Sequence, residues 1–177
     1  MKKRIFIGIA LPEQVREDLK KDLENIPGRM VPPENWHFTL QFLQIAEEIK
    51  LERLKHILSS LNFGSAFSAT LKNLGAFPNE SSAKLLWVGL NEGAKELAAM
   101  ADNITQVLAK EGYKVDTRPY IPHLTISRLL PHRKVSDIIQ TIQIKEHAFK
   151  IEEIILYQSI LGEESSHYVH LASYQLQ

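Results

Sequence analysis

The chain has no cysteine, and this absence excludes several kinds of chemistry at once. A protein without thiols forms no disulfide, holds no iron–sulfur cluster or cysteine-ligated zinc, and has no thiol nucleophile. Neither charge sign is in excess, because 21 lysines and arginines are balanced by 21 aspartates and glutamates. Proteins that hold long nucleic acids through many phosphate contacts need a marked basic excess. The balanced charge therefore argues against that mode of binding and is compatible with a small phosphate site.

Long apolar runs and low-complexity segments are also missing. No run approaches the roughly 18 to 20 residues needed to cross a bilayer, and no Pro/Gly/Ser stretch is long enough to link independent domains. The start, Lys2, Lys3 and Arg4 followed by IFIGIAL, imitates a secretory signal. It lacks a small-residue cleavage site, however, and passes straight into a charged helical pattern. We therefore expect a cytoplasmic protein without membrane contact, and a basic terminus that is solvated.

The chain of 177 residues, 44% of them hydrophobic, suits one domain with a sizeable core. Apolar residues alternate or recur at helical spacing in an order β-α-β-α-β that the second half repeats. The predicted strands are 5–10, 36–43, 66–76, 84–90, 121–129, 147–158 and 168–176, and the predicted helices are 12–26, 47–61, 97–112 and 135–142. This pattern predicts a single α+β domain over 1–177. Its two similar lobes, roughly 1–80 and 81–177, should hold a site between them.

One short motif occurs in both lobes at matching positions. His37-Phe38-Thr39-Leu40 and His123-Leu124-Thr125-Ile126 are offset by 86 residues, close to half the chain, and a proline lies four residues before each histidine. Because side chains alternate along a strand, each histidine shares a face with the threonine two residues later. One copy would be a weak signal, since both residue types are common on solvated strand faces. Two matching copies indicate one shared site.

Two imidazoles and two hydroxyls across a cleft are suited to acid–base chemistry at phosphorus. Histidine titrates near neutral pH, so one ring can take a proton from attacking water while the other gives a proton to the departing alkoxide. The hydroxyls of Thr39 and Thr125 can donate hydrogen bonds to the non-bridging oxygens. A strained cyclic phosphodiester fits such a site, because its opening needs little beyond positioning and proton transfer. The motifs alone leave open which of His37 and His123 is the acid.

At these residues the sequence resembles the 2H phosphoesterases, and within them the RNA 2′,3′-cyclic phosphodiesterases, also described as 2′-5′ RNA ligases. The similar segments cover nearly the whole chain in the expected order: RIFIGIALPEQVRE, VPPENWHFTLQFL, LGAFPNESSAKLLWVGL, RPYIPHLTISR and LYQSILGEESSHYVHLASYQL. The resemblance implies a bilobed α+β fold with two antiparallel sheets around a central cleft and helices on the outside. It also implies metal-independent hydrolysis of RNA 2′,3′-cyclic phosphate ends to 2′-phosphates, without a cofactor, and reversible 2′-5′ ligation in some members. In that family's terms His37 is the proton donor and His123 the proton acceptor.

Two positions depart from the family pattern. Gln44 follows Phe42-Leu43 where the family has glycine, and Gln41 stands where a basic residue is common. Alternation places Gln41 on the face of His37 and Thr39. The change at Gln41 is therefore expected to weaken RNA affinity and to leave the chemistry intact.

Further residues near the motifs are candidates for substrate contacts. Arg128 could neutralise phosphate, but strict alternation from His123 places it on the opposite face. This role requires a bulge or the strand end, and a solvated position is the alternative. Arg118 and Tyr120 precede the second motif, where a loop can reach the cleft mouth; Tyr120 either stacks on a nucleobase or packs in the core. Trp36 is interpreted as a packing residue.

The remaining features do not support other enzyme classes. His167 and His170 form His-x-x-His, but no carboxylate cluster or third ligand accompanies them, so no metal site is predicted. The sequence has no P-loop, G-x-S-x-G or G-x-G-x-x-G motif. We expect a monomer that binds RNA or oligonucleotide ends with a cyclic phosphate. Two alternatives stay open: another cyclic phosphate, such as an ADP-ribose cyclic phosphate or a small cyclic nucleotide, and a binding module that holds phosphate ends without turnover.

Overall fold

In the computed structural model, residues 3–45, 47–163 and 165–177 are described, and they form nine strands and four α-helices. Lys2 of the basic terminus and Glu164 of the last turn lie outside the described residues. The strands are β1 (Lys3–Ala10), β2 (Arg29–Met30), β3 (His37–Ile45), β4 (Phe67–Phe77), β5 (Ala83–Leu90), β6 (Leu124–Arg133), β7 (His147–Ile151), β8 (Glu153–Leu161) and β9 (Ser166–Gln175). The helices are α1 (Glu13–Asp22), α2 (Glu48–Ser60), α3 (Ala94–Lys110) and α4 (Ser136–Thr141). Among the described helices, none combines the length and the apolarity needed to span a membrane.

The strands pair antiparallel in the order β7-β4-β5-β6-β3-β1-β8-β9, and β2 pairs with the edge of β6. The two middle strands, β6 and β3, share a single residue pair, Phe38 opposite Leu124. Apart from β2, the sheet therefore consists of two four-stranded halves that meet at one point, β7-β4-β5-β6 and β3-β1-β8-β9. This architecture confirms the predicted α+β fold with two antiparallel sheets around a central cleft.

The strands of each half-sheet do not come from one half of the sequence. Near the C-terminus β8 and β9 follow β1 in the sheet, whereas β4, from the first half of the chain, pairs with β5. The predicted strand 147–158 is two strands, because the chain changes half-sheets at Glu152: β7 pairs with β4, and β8 pairs with β1. A boundary near residue 80 therefore does not follow the strand pairing. Strands that are far apart in the sequence form hydrogen bonds with each other, and local sequence patterns do not reveal such pairings.

The helices cover the outside of the sheet, and each long helix buries the apolar stripe that its spacing predicts. In α2 the buried stripe is Leu51, Leu54 and Leu58, and α3 ends just before Gly112, whose φ of +80° leaves the helical region. Full burial of each such leucine contributes about 1.5–3 kcal/mol. The start of β7 is fixed to α1 by an interaction between side chains, because Nε2 of His147 lies 2.7 Å from a carboxylate oxygen of Asp22.

Candidate active site

The two motif histidines flank the point where the half-sheets meet. His37 begins β3 and His123 directly precedes β6, so each lies next to one member of the residue pair that joins those strands. Continuing the antiparallel register places Thr125 across from His37, and Thr39 across from His123. Thr39 and His123 line the same cavity, and His123 lies close enough to His37 to lower its pKa, so the structure brings the two motifs to one site.

Each ring is held by the same contact to its own loop. Nδ1 of His37 lies 2.7 Å from the carbonyl oxygen of Asn35, and Nδ1 of His123 lies 2.7 Å from the carbonyl oxygen of Ile121. A carbonyl oxygen only accepts hydrogen bonds, so each Nδ1 carries the hydrogen and each Nε2 is left for proton transfer. In both contacts the carbonyl belongs to the residue two positions before the histidine. Asn35 and Ile121 are therefore 86 residues apart, like the motifs. The Nδ1 atoms of the two rings are thus anchored in the same way.

His37 lies against aromatic side chains, and this burial controls its protonation. Its ring stacks on Phe6 with 4.5 Å between the ring centroids. Burial lowers the pKa of His37 to about 4, against the opposing effect of the Asn35 carbonyl, and the neighbouring imidazole of His123 also lowers it. The ring of His37 is therefore neutral at pH 7 in the free protein. Its Nε2 accepts the hydroxyl hydrogen of Thr39 over 2.9 Å.

A β-bulge after the second motif decides where Arg128 points. The pairing of β6 with β5 passes from Thr125 to Ser127 and skips Ile126, so the alternation of side chains restarts there. As a result Ser127 is fully buried, whereas Arg128 is exposed. The structure contains the bulge that a phosphate-binding role requires, and Arg128 lies on the same face as His123.

A bulge at the equivalent position follows the first motif. The pairing of β3 with β1 skips Leu40, which leaves Phe42 on the cleft face, 36% exposed, and turns Gln41 towards the core, where it is 3% exposed. Alternation breaks at the bulge. The prediction that Gln41 shares the face of His37 and Thr39 is therefore wrong.

The amide of Gln41 uses all its hydrogen-bonding groups to join β3 to the chain that leads to His123. Its Nε2 donates to Oγ1 of Thr105 over 2.8 Å and to the carbonyl oxygen of Asp116 over 3.1 Å. Its Oε1 accepts from the backbone N–H groups of Phe42 and Asp116, both over 3.1 Å. On β6 the equivalent edge is covered by backbone pairing with β2. On β3, the side chain of Gln41 thus takes the place that pairing with β2 has on β6.

Beside this side-chain link, a cavity of about 910 Å³ opens between β3, α3 and the loop before His123. Arg118 and Tyr120 both line it, together with His123 itself. Tyr120 is half-buried, burial raises its pKa, and its hydroxyl has no hydrogen-bond partner among the described residues. Nε of Arg118 lies 3.0 Å from both carboxylate oxygens of Asp116, so the charge of this exposed guanidinium is already paired. The volume of the cavity is in the range of small-molecule sites.

Other residues considered from the sequence lie away from the paired rings. Trp36 is buried, and its Nε1 donates to the carbonyl oxygen of Val31 over 2.9 Å, which fits a packing residue. His167 and His170 lie on opposite faces of β9, because an odd number of positions separates them on a strand. Within residues 3–45, 47–163 and 165–177, no group of three His, Cys, Asp or Glu side chains lies in position to hold a metal ion.

Sequence reasoning missed the aromatic residues that surround His37. The strand pattern at 5–10 indicates burial on both faces and gives no sign that Phe6 stacks on the histidine. Tyr157 and Tyr168 both pack on Phe6, each with 4.9 Å between ring centroids. Period-two alternation within the last two strands is the signal that could have placed these tyrosines on one face.

Comparison with solved structures defines the class of fold. Escherichia coli LigT in complex with 3′-AMP matches with a TM-score of 0.82 at 23% identity, covering 99% of this chain and 99% of that chain. The same protein in complex with phosphate matches with a TM-score of 0.75 at 22% identity, covering 99% of this chain and 98% of that chain. The two half-sheets around a cleft are therefore those of the LigT-type phosphoesterase fold.

The chain belongs to the 2′-5′ RNA ligase superfamily, whose family model matches residues 12–163. An RNA 2′,3′-cyclic phosphodiesterase of Archaeoglobus fulgidus is 31% identical over 97% of this chain and 99% of its own length. An RNA 2′,3′-cyclic phosphodiesterase of Aquifex aeolicus is 33% identical over 71% of this chain and 70% of its own length. These matches confirm the family predicted from the two motifs.

Proposed function

We propose that this chain hydrolyses the 2′,3′-cyclic phosphate ends of RNA to 2′-phosphates, by proton transfer between two histidines and without a metal ion. The observation that carries the proposal is the matched anchoring of the two rings. A carbonyl oxygen occupies Nδ1 of both His37 and His123, which leaves both Nε2 atoms for chemistry. The names of the Archaeoglobus fulgidus and Aquifex aeolicus relatives support the same substrate.

In the proposed reaction a water molecule attacks phosphorus in line with the bond to O3′. Nε2 of His123 takes a proton from the water as the new P–O bond forms, and Nε2 of His37 gives a proton to O3′ as the P–O3′ bond breaks. The electron pair of the broken bond leaves with O3′, so the product carries a 2′-phosphate and a 3′-hydroxyl. If the 5′-hydroxyl of a second RNA end replaces water, the same transfers create a 2′-5′ linkage.

The substrate itself changes the protonation of His37. This ring is neutral in the free protein but must be charged to act as a donor. An anionic phosphate beside Nε2 favours the charged form, and so does the carbonyl oxygen of Asn35 at Nδ1. In this proposal the hydroxyls of Thr39 and Thr125 donate to the non-bridging oxygens, and the guanidinium of Arg128 neutralises their charge.

We place the terminal nucleoside in the cavity next to His123. The cavity begins at the motifs, because Thr39 and His123 both line it, and its volume of about 910 Å³ accommodates a nucleoside. Tyr120 offers the cavity an aromatic ring, on which a base can stack.

The test is incubation of the purified protein, in EDTA, with a short oligonucleotide that ends in a 2′,3′-cyclic phosphate. Phosphorus NMR and chromatography against standards identify the terminal phosphate of the product. We expect a 2′-phosphate from the unaltered protein and a loss of about 100-fold or more in His37→Ala and His123→Ala. His56→Ala is the matched control, because His56 is exposed on α2, away from the motifs.

The remaining outcomes would replace the proposal. Turnover of an ADP-ribose cyclic phosphate or a small cyclic nucleotide, with the RNA end untouched, would reassign the substrate. Binding of the oligonucleotide without turnover of any cyclic phosphate would indicate a binding module. Activity that disappears in EDTA and returns with added metal would contradict the mechanism.

A further inference from the structure

Two rows of side chains cross β1, β8 and β9 on the face that carries His37. The strand register defines both rows. In the strand order β1, β8, β9, the first row is Arg4, Ser159 and Tyr168, and the second row is Phe6, Tyr157 and His170. Stacking of Phe6 on His37 shows that this face adjoins the paired histidines.

The aromatic members of these rows form one packed cluster with an accessible rim. Phe6 is buried at its centre and contacts Tyr157 and Tyr168. Both tyrosines are half-buried, and His170, whose ring centroid lies 5.9 Å from that of Tyr157, is exposed. Sheets that present such rings bind single-stranded RNA, because every base has a flat face that can stack on an aromatic ring.

Positive charge lies along the same face. Arg4 is exposed, with its guanidinium carbon 5.5 Å from the ring centroid of Phe42. Burial raises the pKa of Tyr168, while the positive charges of Arg128 and Arg4 oppose that rise, so both guanidinium groups act on this ring. Arg4 therefore lies on the cleft face, where it remains exposed to solvent.

The cavity on the other side of the paired histidines has a different charge. Its positive side chain, Arg118, is paired with Asp116, and Asp102 of α3 also lines it. The face of β1, β8 and β9 that carries His37 therefore suits a chain of phosphates better than the cavity does. The cavity suits one nucleoside. Neighbouring strands lie about 4.8 Å apart, so the face extends about 14 Å from β3 to β9, a span comparable to a dinucleotide.

We propose that Arg4, Tyr157, Tyr168 and His170, which we call the aromatic face, bind the nucleotides that precede the cyclic phosphate in a single-stranded RNA. The inference rests on the proposed function, because that function places the reacting end between His37 and His123. It adds a preference: an oligonucleotide is bound more tightly than a cyclic mononucleotide, through stacking and phosphate contacts outside the reacting group.

The test compares two substrates, adenosine 2′,3′-cyclic phosphate and a pentanucleotide that ends in the same group. His170→Ala is expected to raise the KM for the pentanucleotide by about fivefold or more relative to the KM for the mononucleotide, because it removes one stacking surface. The salt dependence is measured as the slope of log KM against log salt concentration for the pentanucleotide. Arg4→Gln is expected to lower this slope by about 0.7, because one phosphate contact is lost. His167→Ala is the matched control, because it lies on the opposite face of β9.

Three results would overturn the aromatic face. The first is equal KM values for the two substrates in the unaltered protein. The second is a changed ratio of the KM for the pentanucleotide to the KM for the mononucleotide in Gln106→Ala, together with an unchanged ratio in His170→Ala. Gln106 lies on the cavity wall. The third is an equal effect of His170→Ala and His167→Ala.

Failure of the proposed function would be seen separately, as absence of turnover for both substrates. In that case fluorescence anisotropy with a labelled pentanucleotide ending in a 2′-phosphate decides the question. Weaker binding in His170→Ala and Arg4→Gln than in His167→Ala supports the aromatic face, and equal binding in all three variants overturns it.

Discussion

Binding of a doubly charged oxyanion between the two histidines is expected to raise the pKa of His37 and to take up a proton from solution. In the free protein, burial lowers this pKa to about 4, so the ring is neutral at pH 7. An anion next to Nε2 favours the charged ring. If His37 is the proton donor, this change must accompany substrate binding.

The size of the required change follows from the shift. A fall from 6.5 to about 4 corresponds to about 3.4 kcal/mol. Two unit charges 4 Å apart attract each other by about 4 kcal/mol at the effective dielectric constant of a site near the protein surface. One negative charge beside Nε2 is thus sufficient to restore the ordinary pKa, and a dianion should raise the pKa further.

Sulfate is a suitable probe, because it carries two charges and does not itself titrate near neutral pH. NMR titration of the imidazole signals, assigned with His37→Gln and His123→Gln, gives the pKa of each ring with and without saturating sulfate. We expect His37 to titrate near pH 4 alone and above about pH 6 with sulfate. Because binding takes up a proton, sulfate affinity should rise as the pH falls between these two values, by up to about tenfold per unit.

A pKa for His37 that stays near 4 with sulfate bound would refute this reasoning. The ring would then be neutral throughout the reaction and could only accept a proton. The roles of donor and acceptor would have to be exchanged between His37 and His123.

Three further substitutions test the supporting structure. Gln41→Leu leaves its backbone and hydroxyl partners unsatisfied, so urea denaturation should show a loss of about 2–4 kcal/mol and kcat/KM should also fall. Gly75→Ala puts a Cβ 2.3 Å from the ring of Trp87, which should cost about 1–3 kcal/mol and change the near-ultraviolet circular dichroism of that tryptophan. Arg128→Ala should reduce kcat/KM by about tenfold or more, while the same change at exposed Arg133, at the end of β6, should not. Unchanged stability in the first two variants, or equal activity in the last two, would contradict these expectations.

Local patterns in the sequence predict most of the secondary structure but not which strands pair. The leucine stripe of α2 was visible because helix burial depends on spacing within one segment. The pairing of β8 with β1 was not visible, since it joins residues at opposite ends of the chain. The division at Glu152 was also hidden, because apolar residues continue on both sides of it as the chain changes half-sheets. The two-residue strand β2 is too short to show a period.

The site was predictable where alternation is unbroken and not where it is broken. His37 and Thr39 share a face, as the motif indicates, because no bulge separates them. Beyond Leu40 and Ile126 the alternation reverses, and the sequence carries no local mark of either bulge. In the structure, a buried polar residue, Gln41 or Ser127, follows each skipped position. For this reason the side-chain link made by Gln41 could not be predicted, although the need for a bulge before Arg128 could.

The most direct test of the central claim separates the two proton transfers. Hydrolysis of a 3′-deoxynucleoside 2′-(4-nitrophenyl phosphate) also leaves a phosphate on O2′, but its leaving group, 4-nitrophenolate, departs as a stable anion and needs no proton. We expect His37→Ala to lose about 100-fold or more on the cyclic phosphate and less than about tenfold on the nitrophenyl ester, whereas His123→Ala loses about 100-fold on both. Recovery of the nitrophenyl activity in His123→Ala, or equal losses of both variants on both substrates, would contradict the assignment of His37 as donor and His123 as acceptor.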